Sequence, residues 1–384
     1  IAVRDIAIQR RENDLVLGTF GRGFYVMDDY SVLRSIENSE ISLGAKIFDV
    51  RDALMWEKAS PLGLPGKAFQ GDNFYLAENL DPVAIFTYNY DKKHESLKSK
   101  RQKEEKKLIK DKNDVSYPTY DELYSEVNES KPELVFTIRD NEDKVVKKIY
   151  RKPSKGLSRF QWNLRYEDNS PINLSSSSFY NPFAGVSEGT LVNPGAYSID
   201  MSILNGGETT KVVNAINFNV VALNNTVMPA DDRKSKVDFQ RKVSLLQAEI
   251  SEYSRKLSEA SNKMPYITQA VKKAEQPIEE ISKMVWDVNE LIKEVNLKFY
   301  GDSVKRRLDI QTYLSPSSRL GAVAYYQKYS TAAPTKTHMD SYEIAKEEFE
   351  PIKVLVNKLR FEMQTLEQML KDSGAPYTPG RPKQ

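Results

Sequence analysis

At 384 residues the chain is longer than one hydrophobic core usually supports, so two or three domains are expected. Its 56 basic and 54 acidic side chains leave a net charge of +2 on a 29% charged background, which argues against a dedicated nucleic-acid or anionic-membrane binder. The absence of cysteine excludes disulfide frameworks, thiolate metal sites and cysteine nucleophiles, and no apolar run is long enough to span a bilayer. The chain opens without Met or a signal peptide, and we expect its targeting information to lie upstream.

Residues 1–30 alternate as strands: Val3, Ile6 and Ile8 in a first, Leu15 and Leu17 in a second, Phe24 and Val26 in a third. Gly21 and Gly23 give the second turn its backbone freedom. The short strand pair around that turn is marginal alone, as a two-stranded hairpin is in water, and no similar hairpin follows, so the rest of its sheet is expected to come from elsewhere. Arg22, between the glycines, either pairs locally to lock the turn or points outward into a channel or toward an acidic partner.

The run Leu15-Val16-Leu17-Gly18-Thr19-Phe20-Gly21-Arg22-Gly23, with the aromatic strand and Asp28-Asp29 after it, resembles the closing blade of sortilin-like (VPS10-type) BNR-repeat β-propellers. Bacterial members read Gly-Thr-His-Gly-Arg-Gly there, so Phe20 stands where they have histidine and a role needing an imidazole does not carry over. The resemblance continues through residues 73–79, 117–123, 160–166 and 192–197 and the tail at 374–381. It implies the C-terminal region of a bacterial protein of the periplasm or cell surface. The neighbour it implies is an upstream β-propeller of the same protein or a protein partner, and the ligand a cell-surface protein or glycan. Such proteins are often labelled glycosyl hydrolases by analogy with sialidase propellers, a label resting on another part of the chain.

Residues 31–68 read as a connector whose apolar beads Ile47, Phe48 and Trp56 dock on a neighbouring surface; Trp56 packs between domains or stacks on a sugar. Residues 69–229 read as an antiparallel β-sandwich of immunoglobulin-like type. Its strands are expected at 82–90, 133–139, 144–150, 158–166, 196–203 and 211–221, with Phe160, Trp162 and Leu164 sharing a face. Asp140-Asn141-Glu142-Asp143 and Asn205-Gly206-Gly207-Glu208 are hairpin turns.

A Lys- and Glu-rich insertion at 91–130 interrupts the sandwich and reads as solvated helix, since a polyanion site would want aromatics among the lysines and none occurs before Tyr117. His94 lacks a ligand set and is expected at the surface, and residues 175–178, all serine, read as a loop.

From 230 to 375 the period changes to that of helices, and a short tail at 376–384 follows. Phe239, Val243, Leu246, Ile250, Tyr253, Leu257, Ala260 and Met264 form one stripe, which Pro265 is expected to kink or end. Asp231-Asp232 suits its negative start. A second stripe runs from Ile278 to Phe299 and stops at Gly301. A third runs from Tyr342 to Leu370, opened by Asp340 with Glu343 in capping-box spacing and bent or delayed by Pro351. Three stripes imply a three-helix bundle with an irregular connector at 302–339, which holds His338.

Overall the reading is a multidomain α+β chain: propeller end, sandwich, helical bundle. No HExxH, P-loop, G-x-S-x-G or cysteine motif is present, and neither Asp28-Asp29 nor Asp231-Asp232 sets two carboxyls across a substrate, so no catalytic residue, cofactor or metal is assigned. The binding candidates are Arg22, Phe20 and Trp56. Two functions stand: a non-catalytic binding or assembly module, or an accessory region of a propeller glycoside hydrolase whose active site lies upstream.

Overall fold

The computed structural model describes residues 1–34, 36, 44–56, 81–92, 94–174, 188–223, 232–275, 279–328 and 330–380. The expected motif at 73–79, the serine run at 175–178, Asp231, Ile278 and the last residues of the tail lie outside them. The fold is mixed α+β with antiparallel sheets, in two compact units. One comprises Ile1–Glu167 and Val192–Asn225, the other Asp168–Leu191 and Thr226–Gln384.

The first unit opens with a three-stranded antiparallel sheet, β1 (Val3–Gln9), β2 (Asp14–Thr19) and β3 (Phe24–Met27), followed by one helical turn, α1 (Ser31–Arg34). The expected connector is more than a tether, because β4 (Lys46–Ile47) and β5 (Ala53–Met55) each join a sheet. Ile47, Phe48, Ala53 and Met55 are buried there.

Strands β6 (Ala84–Tyr90) and β9 (Gly156–Trp162) pair with β4. A five-stranded sheet runs β5, β11 (Glu208–Ala222), β10 (Gly195–Asn205), β7 (Glu133–Asp140), β8 (Val145–Arg151), antiparallel except where β5 lies parallel to β11. The two sheets share an aromatic core. Phe86, Tyr88, Phe160 and Trp162 of the smaller sheet meet Phe136, Tyr197 and Phe218 of the larger at centroid separations from 4.5 to 6.2 Å. Leu164 is buried with them, but it lies past the end of β9 at φ 54° rather than on the strand.

Turn chemistry sets the registers. The Asp140 carboxylate accepts from the amides of Glu142 and Lys144, both at 2.9 Å, closing the β7–β8 hairpin. Gly206 and Gly207 at φ 59° and 85° close β10–β11 in the geometry that the right-handed strand twist favours.

The expected insertion is a helical hairpin, α2 (Leu97–Lys110) and α3 (Tyr120–Val127), which buries no apolar side chain. Ser96 caps α2, and a Thr119/Glu122 capping box opens α3. His94 is exposed as expected, stacked on Tyr90 and bonded to its hydroxyl at 2.7 Å.

In the second unit α4 (Arg233–Val271), α5 (Glu279–Tyr300), α7 (Pro316–Lys328) and α8 (Lys336–Asp372) pack around one core, with the short α6 (Ser303–Arg307) after α5. The apolar stripes read from the sequence supply most of that core. Asp232 caps α4 through the Ser235 amide, and Gly301 at φ 76° follows α5.

Three expectations change. Helix α7, in the supposed connector, sends Leu320 and Val323 into the core as a fourth packed element. Helix α8 starts at a Thr335/His338 capping box rather than at Asp340, adding a turn and placing His338 inside the helix. His338 is held there by stacking on Tyr326 and by Gln327, whose side-chain nitrogen lies 2.8 Å from its Nδ1. Pro265 does not end its helix and Pro351 does not delay the next, since both lie inside continuous helices. Each removes one backbone bond at a cost of about 3 kcal/mol. Burial of Met264 and Ile267, and of Phe349 and Ile352, on either side offsets it.

Candidate functional site

The amino-terminal sheet carries two of the three sequence candidates. Its register aligns Ile6 with Leu17 and Tyr25, and Ile8 with Leu15 and Met27, so these six side chains share one face. The opposite face carries Ala7, Val16, Gly18, Phe24 and Val26 together with Asp5, Gln9 and Asp14. The first face is wholly apolar and the second is apolar along its Ala7–Val16–Val26 row, yet every residue of the outer strands is exposed, with Ile6 at 59%, Val26 at 58% and Phe24 at 81%. Both sheet edges are open as well, since β1 and β3 pair only with β2 among the described residues.

Phe20 and Arg22 sit at the β2–β3 turn. Gly21 and Gly23 at φ 74° and 72° adopt the left-handed conformation it requires, and a Cβ at either would meet nothing within 4 Å, so the constraint is conformational rather than steric. Thr19 locks the turn: its amide and hydroxyl both donate to the Gly23 carbonyl, at 3.2 and 2.7 Å. Arg22 is therefore not the lock. It is exposed and makes no hydrogen bond or ion pair among the described residues. Phe20, 73% exposed, donates its amide to Ala2 and lies under the Arg4 guanidinium at 5.3 Å. Trp56 is half-buried just past β5 in the larger sheet, and no described contact joins it to Phe20 or Arg22. Two candidates are thus brought together and the third is not.

Sequence reasoning missed Arg159. From β9 it donates to the carbonyls of Asp28 and Asp29, each at 2.9 Å, and to the Thr87 hydroxyl at 3.1 Å. Asp29, at φ 44°, gives its amide to the Asp14 carboxylate and accepts the Ser31 hydroxyl at 2.5 Å. On the other side Arg51 pairs with Glu12, and Arg34 bonds Asn13 at 2.8 Å. Polar contacts therefore anchor the base of the sheet while its apolar faces stay uncovered. The one available signal was Arg159 at an outward strand position, which does not reveal a partner 130 residues away.

Arg159→Ala is expected to loosen residues 1–34 without unfolding the unit, at about 1–2 kcal/mol or a 5–30-fold faster local opening. Hydrogen exchange of the β1–β3 amides reads this directly, and unchanged exchange would remove Arg159 from the anchor.

This arrangement offers an apolar layer for packing, edges for strand addition and an exposed Phe/Arg tip. Among the described residues no group of His, Asp or Glu is disposed to hold a metal ion. No helix among them is long and apolar enough to cross a membrane. No protein-family model matches the chain, nor does any curated protein or solved structure.

Proposed function

We propose that this chain is a non-catalytic binding or assembly region of an exported bacterial β-propeller protein of the sortilin-like, BNR-repeat kind. In this reading β1–β3 is a propeller blade, β4–β11 an immunoglobulin-like sandwich and α4–α8 a helical bundle. The carrying observation is the amino-terminal sheet, whose outer strands are exposed while one face is wholly apolar and the other carries an apolar Ala7–Val16–Val26 row. An antiparallel sheet at a domain surface ordinarily keeps one polar face. One that exposes apolar side chains on both sides calls for a layer on each, which neighbouring blades supply, and blades have four strands where β1–β3 provides three.

Two further features support the reading. The Tyr197 hydroxyl donates to the Asn193 carbonyl at 2.6 Å, in the manner of the tyrosine corner of immunoglobulin-like sandwiches. Burial raises that phenol's pKa, so it stays a donor. Phe20 and the unpaired Arg22, at an exposed tip, suit contact with an acidic or aromatic group of a protein or glycan partner.

The test is the intact mass and N-terminal sequence of the protein isolated from its source. A chain well above 43.9 kDa whose preceding sequence forms further blades is the expected result. A 43.9 kDa protein that is monomeric, with β1–β3 exposed in solution, would overturn it. Glycoside hydrolysis by the larger protein would move the parent to the hydrolase reading.

A further inference from the structure

The α2–α3 hairpin sorts its charges. Arg101 of α2 turns inward, donating to both carboxylate oxygens of Glu126 on α3 at 2.5 and 3.0 Å and to Glu105 at 2.5 Å. The Glu129 carboxylate accepts the Leu97 amide at 2.8 Å. The guanidinium holds the Glu126 carboxyl below its ordinary range, so the pair stays charged. These bonds fix the rotation of α2 about its axis.

At roughly 100° per residue, Lys100, Lys103, Lys106, Lys107 and Lys110 then fall within an arc of about 120° on the side opposite Arg101. All five are exposed, and the stripe runs about 15 Å along the helix. Lys103 pairs with Glu95, while the other four make no ion pair among the described residues. A charge run that looked like solvated helix is a one-sided cationic ridge.

We propose that this ridge docks on an anionic lipid surface. Charge complementarity selects an anion, and the form of the ridge selects a planar one. Sites for single-stranded nucleic acid combine a positive groove with aromatic platforms. Here the lysines stand on a convex helix edge, no aromatic lies among them, and Tyr120 and Tyr124 lie on the side of α3 turned away from Glu126. Lysines act as point charges without the planar fork that reads a particular phosphate, which suits a field of headgroups. The ridge contains no apolar residue, so the contact is electrostatic and reversible.

The experiment is flotation of the full chain with phosphatidylcholine vesicles, with and without about one-third phosphatidylglycerol, in salt of about 0.05 M and about 0.5 M. Binding only to the anionic vesicles, lost at high salt, is expected. The variant K100Q/K103Q/K106Q/K107Q/K110Q should bind about 100-fold more weakly or worse, at roughly fivefold per lysine. It should fold normally, because α2 buries nothing; circular dichroism checks this. The control K242Q/K283Q/K298Q/K346Q/K371Q removes the same net charge from exposed positions on α4, α5 and α8 and should bind like the parent. Equal losses in both variants would reduce the effect to net charge and overturn the ridge. No binding to anionic vesicles at low salt would overturn the proposal outright. Tighter, ridge-dependent binding to a linear polyanion such as heparin or oligo-dT would overturn the lipid assignment.

Discussion

Replacing Phe349 by Ala is expected to destabilise the helical unit by about 3–5 kcal/mol, the range for truncating a fully buried aromatic. Phe349 is 0% exposed where α8 meets α4 and α5. Its ring makes near-perpendicular contacts with Tyr253 at 5.4 Å and Phe299 at 6.2 Å. The Lys353 ammonium lies 5.3 Å from its centroid, its pKa raised first by Glu350 and also by Glu249, so it remains a cation over the ring. Lost transfer energy of about 1.5–3 kcal/mol, the aromatic contacts and the cavity left between helices together give the total. Urea denaturation followed by helical dichroism measures it. Phe349→Leu should cost a fraction as much, and a loss below about 1 kcal/mol for the Ala variant would mean that this junction is loosely packed.

Phe136→Ala should cost the first unit a similar amount, about 3–5 kcal/mol. Phe136 is 0% exposed on β7 and, with Tyr197 and Phe218, is one of the aromatic side chains through which the larger sheet meets the smaller. Its ring lies 4.8 Å from Tyr88 and 4.5 Å from Phe160. Removing it opens a cavity that neither sheet can close without shifting strands held in register by β10 and β8. The near-ultraviolet dichroism of the aromatic cluster should fall while the helical unit's far-ultraviolet signal persists. Conservative Phe136→Leu should retain most of the stability. Loss of helical signal together with the aromatic signal would show that the two units unfold as one.

How far these sites were legible in the sequence varies with the range of the interaction. The helical stripes were plain because a period near 3.6 is a local property, and Val243, Leu257, Val288, Phe349 and Leu366 are all buried as their spacing predicts. The β7–β8 and β10–β11 turns were plain for the same reason, since Asp140 and the Gly206-Gly207 pair carry their own backbone chemistry. The start of α8 was not. Asp340/Glu343 and Thr335/His338 both have capping spacing, and contacts of His338 with Gln327 and Tyr326 favour the earlier one. Helix α7 also escaped notice, because a helix that sends only Leu320 and Val323 into a shared apolar core leaves little stripe to read.

The candidate sites divide along the same line. Alternation and two glycines were enough to place three strands and an exposed turn at residues 1–30, with Phe20 and Arg22 at its tip. Only the tertiary structure decided that Thr19 rather than Arg22 locks that turn, that Arg159 anchors the sheet from 130 and 131 residues away, and that Arg101 faces α3 and so turns the lysine side of α2 away from it. The physical reason is that periodicity and turn preference act through neighbouring dihedral angles, which the local sequence sets. The partner of a charged side chain depends on which distant segment packing brings within about 3 Å.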